Sequence, residues 1–167
     1  KTVRSIVTKD SLAYFAVGFG VIVVDLIKKE IKETYNFFDG TNPLACNVVE
    51  VDNSKIYVAT ENGIFQTPIN NPLILNFSTW QKISDNNTDG NISAITKFDN
   101  KIWAAKDHHI YNYDGTSWIL AFSETNWKTL DFSVDNNHLL LAQHKTDNSN
   151  QRIGKWENNT FNFLPRN

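Results

Sequence analysis

One phrase in this chain returns in altered form, and any fold must accommodate the return. Lys55 to Phe65 reads KIYVATENGIF, and Lys101 to Tyr111 reads KIWAAKDHHIY. RIGKWENNTF (Arg152 to Phe161) aligns without a gap on HIYNYDGTSW (His109 to Trp118). The same grammar runs through four units. An alternating segment ends in Asp or Asn, and a turn follows (KDS, DNS, DN, DNN). A near-continuous apolar segment then ends in a small residue (AYFAV, KIYVA, KIWAA, HLLLA). A second turn leads to a third segment, and an aromatic marks a fourth. Val17, Ala59, Ala105 and Ala142 anchor this register at spacings of about 42, 46 and 37 residues. Four short antiparallel strands in each unit of roughly 40 residues is the pattern of a β-propeller blade.

The burial pattern agrees with that reading. Alternation implies one buried face, and a continuous apolar strand implies two, as expected where a strand lies between neighbouring blades. Val17, Ala59, Ala105 and Ala142 are small enough for the place where blades converge, and Tyr57 and Trp103 would fill the wider space. Trp80, Trp118 and Phe161 occupy equivalent outer-strand positions, where a large side chain can wedge between blades. The sequence therefore predicts an all-β fold: one partial propeller domain over 1–167, with blades at about 1–45, 46–89, 90–125 and 126–167. The chain starts in phase at an inner strand and ends in phase at an outer one. The expectation is four blades of a larger, seven-bladed ring, with an exposed blade face at each end of the arc. Two rivals are weaker. IKKEIKET (Ile27 to Thr34) has helix-friendly charge spacing, but the repeat register makes it a turn and an outer strand. A β-sandwich would also give evenly spaced strands, but not the ungapped match between units.

Composition bounds the rest. With 167 residues, 41% hydrophobic and 20% charged, the chain can build a sizeable core. Its net charge of −2 supplies no basic field for nucleic acid. Only 7 glycines are present, so Asn and Asp must fill the turns, as in NNPL, DNNTDGN, TDNSN and ENNT. The longest uncharged apolar run, Leu12 to Val24, is shorter than the roughly 20 residues of a membrane helix and rich in β-branched residues and Gly. It reads as two buried strands, and no transmembrane segment is predicted. The chain opens on Lys with no visible signal peptide, and so reads as a mature or excised piece.

Motifs for chemistry are sparse. DNNTDGN sets Asp85, Asn87 and Asp89 at alternate positions before Gly90 and Ile92, like the start of a calcium loop. Thr96 stands where that loop needs a bidentate Glu, and no helices flank it. The pair His108-His109 falls at a turn, without a Cys or carboxylate cluster at ligand spacing. His138 falls at a strand start, exposed. Cys46, the single cysteine, lies at an inner-strand start and reads as a structural thiol. No nucleophile elbow, phosphate loop, dinucleotide fingerprint or locally fixed carboxylate pair is present. The sequence thus nominates no catalytic, cofactor-binding or metal-ligating residue, and the chain reads as a non-enzyme.

Two insertions break the repeat: QTPINNPLILNFS in the second unit and HKTDNSNQ in the fourth. Loops that depart from a rigid repeat are where binding concentrates. The first nominates Asn71, Pro72, Leu73, Ile74 and Leu75 as a candidate partner-contact loop, against the alternative that they tuck over the blade.

Taken together, YFAVGFGVIVVDLIKKEIKETY and KIYVATENGIFQTPINNPLILNFSTWQKI resemble the PorZ-type β-propeller proteins of the Bacteroidetes type IX secretion system. The Gly-Phe-Gly run, ATENG, the NNP-L loop and Phe-Ser-x-Trp carry the likeness, which is strongest from Tyr14 to Ser84. KIWAAKDHHIYNYDGTSW also resembles the looser repeat of two-component-regulator sensor propellers. The resemblance implies two propellers and a C-terminal β-sandwich in the whole protein, export, and a place in the periplasm or at the outer-membrane surface. It implies a non-catalytic partner of the sortase-like protease that attaches cargo to anionic lipopolysaccharide, with any contact to that lipopolysaccharide made by other parts of the protein. A ligand-sensing propeller of a hybrid regulator is the alternative, and a propeller lyase or glycosidase the third.

Overall fold

The computed structural model describes residues 2–135 and 137–164. Four four-stranded antiparallel sheets follow one another along the chain, as in the blades of a β-propeller. The first contains β1 (Val3–Lys9), β2 (Leu12–Val17), β3 (Gly20–Asp25) and β4 (Glu30–Asn36). A small hairpin, β5 (Phe38–Asp39) and β6 (Asn42–Pro43), leads to β7 (Cys46–Val51), β8 (Lys55–Thr60), β9 (Gly63–Pro68) and β10 (Gln81–Lys82). The third contains β11 (Ala94–Phe98), β12 (Lys101–Lys106), β13 (His109–Tyr113) and β14 (Trp118–Ser123). The fourth contains β15 (Trp127–Asp135), β16 (His138–Lys145), β17 (Gln151–Glu157) and β18 (Thr160–Phe163). The chain forms two compact units, Lys1–Ile92 and Ser93–Asn167, each with two of the four-stranded sheets. The Leu12 to Val24 run is the hairpin β2–β3, and Ile27 to Thr34 is a turn entering β4, not a helix.

Asn and Asp do make the turns. Asp99-Asn100 and Asn158-Asn159 both have positive φ at the two central positions of two-residue hairpins. Such hairpins match the strand twist, and Asn and Asp tolerate that conformation better than other side chains. Gly20, at φ 153°, begins β3 where a Cβ would collide with the Tyr35 carbonyl. That explains the second glycine of Gly-Phe-Gly.

Each unit buries its own core. In the first, Tyr14, Ala16, Val21 and Val23 of one sheet meet Val49, Ile56, Val58 and Phe65 of the next. Trp80 does wedge between these sheets, 5.5 Å from Tyr35 and 4.8 Å from Phe37 between ring centroids. In the second, Trp103, Ala105 and Ile110 meet Leu139, Leu141 and Phe161. Phe161 wedges here, 6.3 Å from Trp103 and 5.5 Å from Phe122. Trp118 is buried and stacks on Tyr113 of its own sheet at 5.0 Å. Tyr57 is buried too.

The register corrects one anchor. The turns between second and third strands are closed by Val17↔Gly20, Thr60↔Gly63 and Lys106↔His109. Counting back from these, Ala59 and Ala105 correspond to Ala16, not Val17. A one-residue slip moves a side chain to the opposite face of a sheet. Ala16 belongs to the core facing the second sheet, whereas Val17 lies on the other face.

Candidate functional site

The inserted loop follows Pro68, the last residue of β9, and its own polar groups hold it. The Asn71 amide donates to the hydroxyls of Thr67 at 2.8 Å and Thr79 at 2.9 Å. Its carbonyl oxygen accepts from the Leu73 N–H at 2.9 Å, an Asx turn. A 3₁₀ turn, Phe77–Thr79, is capped by Asn76, whose Oδ1 accepts from the Ser78 N–H. The Trp80 indole N–H donates to the Ile74 carbonyl at 2.9 Å. These bonds divide the five candidate residues. Asn71 spends its side chain on the loop, and Ile74 packs on the core beside Ile69 and Phe77. Pro72, Leu73 and Leu75 stand outside, the two leucines 60% and 61% exposed. The second insertion, between β16 and β17, is closed by Asp147, which accepts from the Ser149 N–H, and by a 2.8 Å contact between His144 Nδ1 and Asn148 Oδ1.

The other sequence candidates have local duties. Asp85 Oδ1 accepts from the N–H groups of Asn87 and Thr88 and from the Thr88 hydroxyl. Asp89 accepts from the Ser84 hydroxyl and pairs with Lys82 at 2.9 Å. The acidic residues of DNNTDGN are thus engaged by their own loop. His108 Nδ1 lies 3.1 Å from the Trp127 carbonyl, His109 stacks obliquely on Tyr111, and His138 is exposed at the start of β16. Cys46 begins β7 fully buried, and burial pushes its thiol pKa up to about 12, which leaves it un-ionised and inert at neutral pH. Among the described residues, no three His, Cys, Asp or Glu side chains stand together as a metal site, and no helix is long and apolar enough to cross a membrane.

Two features of the second unit were not foreseen. Arg152 lies against the rings of Trp127 at 3.8 Å and Phe163 at 3.5 Å, while its guanidinium donates to both oxygens of Glu124 and to Gln143. This largely buried cation, paired, stacked and hydrogen-bonded, ties β17 to β15, β16 and β18 and to Glu124 after β14. Further along the same pair of sheets opens a cleft of about 260 Å³, with Trp103 and Asn112 on one sheet and Trp156 on the other. Asp99, Lys101 and Leu120 also line it, and the turn residue Asn159 closes one side. Asn112 is only 7% exposed, and its Oδ1 has no hydrogen-bond partner. In HIYNY, Asn112 alternates with Ile110 on a buried face, as Gln66 alternates with Ile64 in GIFQT, but the Gln66 amide is bonded to Lys55 and Gln81 and the Asn112 Oδ1 is not bonded.

The comparisons with known proteins fit this geometry. Residues 1–81 match the PorZ N-terminal β-propeller domain of the type IX secretion system. The likeness to PorZ-type propellers is shown. It falls on the first two sheets and includes the candidate loop. No curated protein sequence matches the chain. Among solved structures, the PorZ protein of Porphyromonas gingivalis, described as an essential bacterial surface component of the type IX secretion system, superposes with a TM-score of 0.64 at 16% identity. The match covers 99% of this chain and 26% of PorZ. The extracellular domain of the putative one-component system BT4673 of B. thetaiotaomicron superposes at 0.69 with 12% identity, covering 100% of this chain and 23% of that one. At these identities the superpositions establish the propeller fold alone. The chain spans about a quarter of the length of these two structures.

Proposed function

We propose that this chain is a non-catalytic interaction and scaffold module of an exported cell-envelope protein, working as a PorZ-type propeller in type IX secretion. The observation that carries the reading is the family match over residues 1–81, which includes the candidate partner-contact loop. In this reading the chain is part of a single larger propeller, at the periplasmic or outer-membrane surface. Its partners are proteins, with the sortase-like cargo-attachment protease first among them, and lipopolysaccharide is bound by other parts of the protein. Leu73 and Leu75 suit a docking role because they are exposed on a loop whose backbone is already fixed, so binding carries little ordering cost.

The test is a pulldown from envelope fractions with the full-length protein, wild type against Leu73→Ser/Leu75→Ser. Loss of the sortase-type partner with an unchanged melting temperature is the expected result. Undiminished recovery would remove the loop from the proposal, and absence of any secretion component from the wild-type pulldown would remove the scaffold reading.

A second reading, the extracytoplasmic sensor propeller of a regulator, draws support from the superposition on BT4673. A membrane span followed by regulatory domains in the full-length protein would favour it over the first.

A further inference from the structure

We propose that the cleft between the two sheets of the second unit is a binding site for a small zwitterion, a single free amino acid with an apolar or aromatic side chain. The inference is independent of the scaffold reading and rests on one buried acceptor without a partner. The position opposite Trp103 corresponds to Val23 in the first sheet, Gln66 in the second and Lys155 in the fourth, so the fold tolerates a polar residue there, and the buried Gln66 amide is bonded at both ends, accepting from Lys55 at 3.2 Å and donating to Gln81 at 2.8 Å. The third sheet places Asn112 there, with its Oδ1 buried and without a partner. An unpaired buried carbonyl oxygen costs stability, and in a native structure such a group needs an explanation. A site for a ligand that brings its own N–H donor supplies one.

The rest of the cleft narrows the class. Trp103 already gives its indole N–H to the Phe98 carbonyl at 3.2 Å, so what it presents to the cleft is carbon surface. Trp156, edge-on to Trp103 at 4.8 Å, and the half-exposed Leu120 extend that surface. Asp99, within one tight turn, and Lys101, just after it, bring both signs of charge to the cleft. A ligand of single charge would press against one of them without compensation, and a purely apolar one would desolvate both. A zwitterion offers an ammonium to Asp99 and Asn112 Oδ1, a carboxylate to Lys101, and a side chain to the indoles. The volume of about 260 Å³ lies just under the range of drug-sized pockets, roughly 300–1,000 Å³, room for a single amino acid.

The experiment is calorimetry and tryptophan-fluorescence titration of the 167-residue chain. The probes are L-phenylalanine and L-leucine, with N-acetyl-L-phenylalanine, L-phenylalaninamide and glucose as comparisons. Saturable binding of a free amino acid is expected, weaker by about tenfold or more for both blocked forms. The same loss is expected in Asn112→Val and in Asp99→Asn, two variants whose melting temperatures certify the fold. The proposal is overturned if neither amino acid binds, since an ordered water then suffices for Asn112. It is equally overturned if the blocked forms or glucose bind as well as the free amino acid, or if folded Asn112→Val binds like the wild type.

Discussion

The space between the paired sheets of each unit is built on one register, and the two units close it differently. In the first unit, Tyr14 and Val23 look across at a sheet whose outer connection is the long insertion 69–80, and Ile69, Ile74 and Phe77 from that insertion pack onto the core. In the second, Trp103 and Asn112 occupy the same positions, but the outer connection opposite is the two-residue turn Asn158-Asn159. Asn159 lines the cleft that stands beside it. One unit spends extra chain on a seal and exposes the outer leucines of that seal. The other omits the seal and leaves a polar atom in the gap. A departure from the repeat thus makes a surface in one place and a cavity in the other.

The harshest test of that contrast is removal of an indole from each space. Trp80→Ala takes out a buried ring that touches Tyr35 and Phe37 and whose N–H anchors the loop, and should cost about 3–5 kcal/mol in urea unfolding. Trp156→Ala removes a ring already half-open to the cleft and should cost clearly less. Equal losses would mean that the second space is as tightly closed as the first.

A reciprocal exchange sharpens the comparison. Val23→Asn puts an amide among Tyr14, Val21 and Phe37, with a lost apolar contact and an unpaired polar group, and should cost about 3 kcal/mol. Asn112→Val relieves the second unit of its unpartnered acceptor and should raise stability by about 1 kcal/mol. A large loss on Asn112→Val would show that the amide supports the fold, which would remove the reason for reading it as a binding group.

Most of the architecture was legible because the repeat makes each element testify four times. The hairpin at Leu12 to Val24 and the turn and strand at Ile27 to Thr34 could be placed by register even where local composition was ambiguous. The Val17 anchor failed for a physical reason. The Gly-Phe turn after it hides its strand end among apolar residues, so nothing marks the one-residue slip between Ala16 and Val17. At Thr60 and Lys106 the polar residue at the corresponding position marks the boundary. The candidate loop was legible as an insertion, but which of its residues face outward was not. Ile74 turns inward because the Trp80 indole holds its carbonyl, a contact six residues apart that no periodicity announces. Asn112 stood in plain view as one polar letter in a buried strand. Its meaning required the pairing with Trp103 and the gap left by a turn some forty residues downstream.

Cys46 tests whether the closed unit is closed to solvent as well. Its thiol is fully buried, and burial raises its pKa to about 12. A folded pKa above the unfolded value of about 8.5 means that the associated stability is complete below that value and lost as pH rises toward 12. Reaction with a disulfide reagent at pH 8 should therefore be negligible in the native protein and prompt in urea. Cys46→Ala should cost only about 1 kcal/mol. Fast native labelling would place an opening in the first unit and weaken its contrast with the second.

The smallest effect is expected where the two units are most alike. Asp25 and Asp114 occupy corresponding positions, each two residues beyond Val23 and Asn112 in the third strand's direction. The Lys28 N–H, joined by that of Ile27, holds the Asp25 carboxyl below its ordinary range, and the Ser117 and Thr116 N–H groups do the same for Asp114. Both side chains are exposed to water, so the contribution of each is small. A depressed folded pKa adds stability above the unfolded value of about 3.9, which disappears as pH falls through the folded one. Acid titration of stability should therefore flatten slightly below pH 4 in Asp25→Asn and by the same amount in Asp114→Asn. A marked inequality would mean that the cleft beside Lys101, whose charge also favours ionised Asp114, reaches the turn electrostatically. The difference between the units would then extend beyond packing into the charge pattern at the cleft mouth.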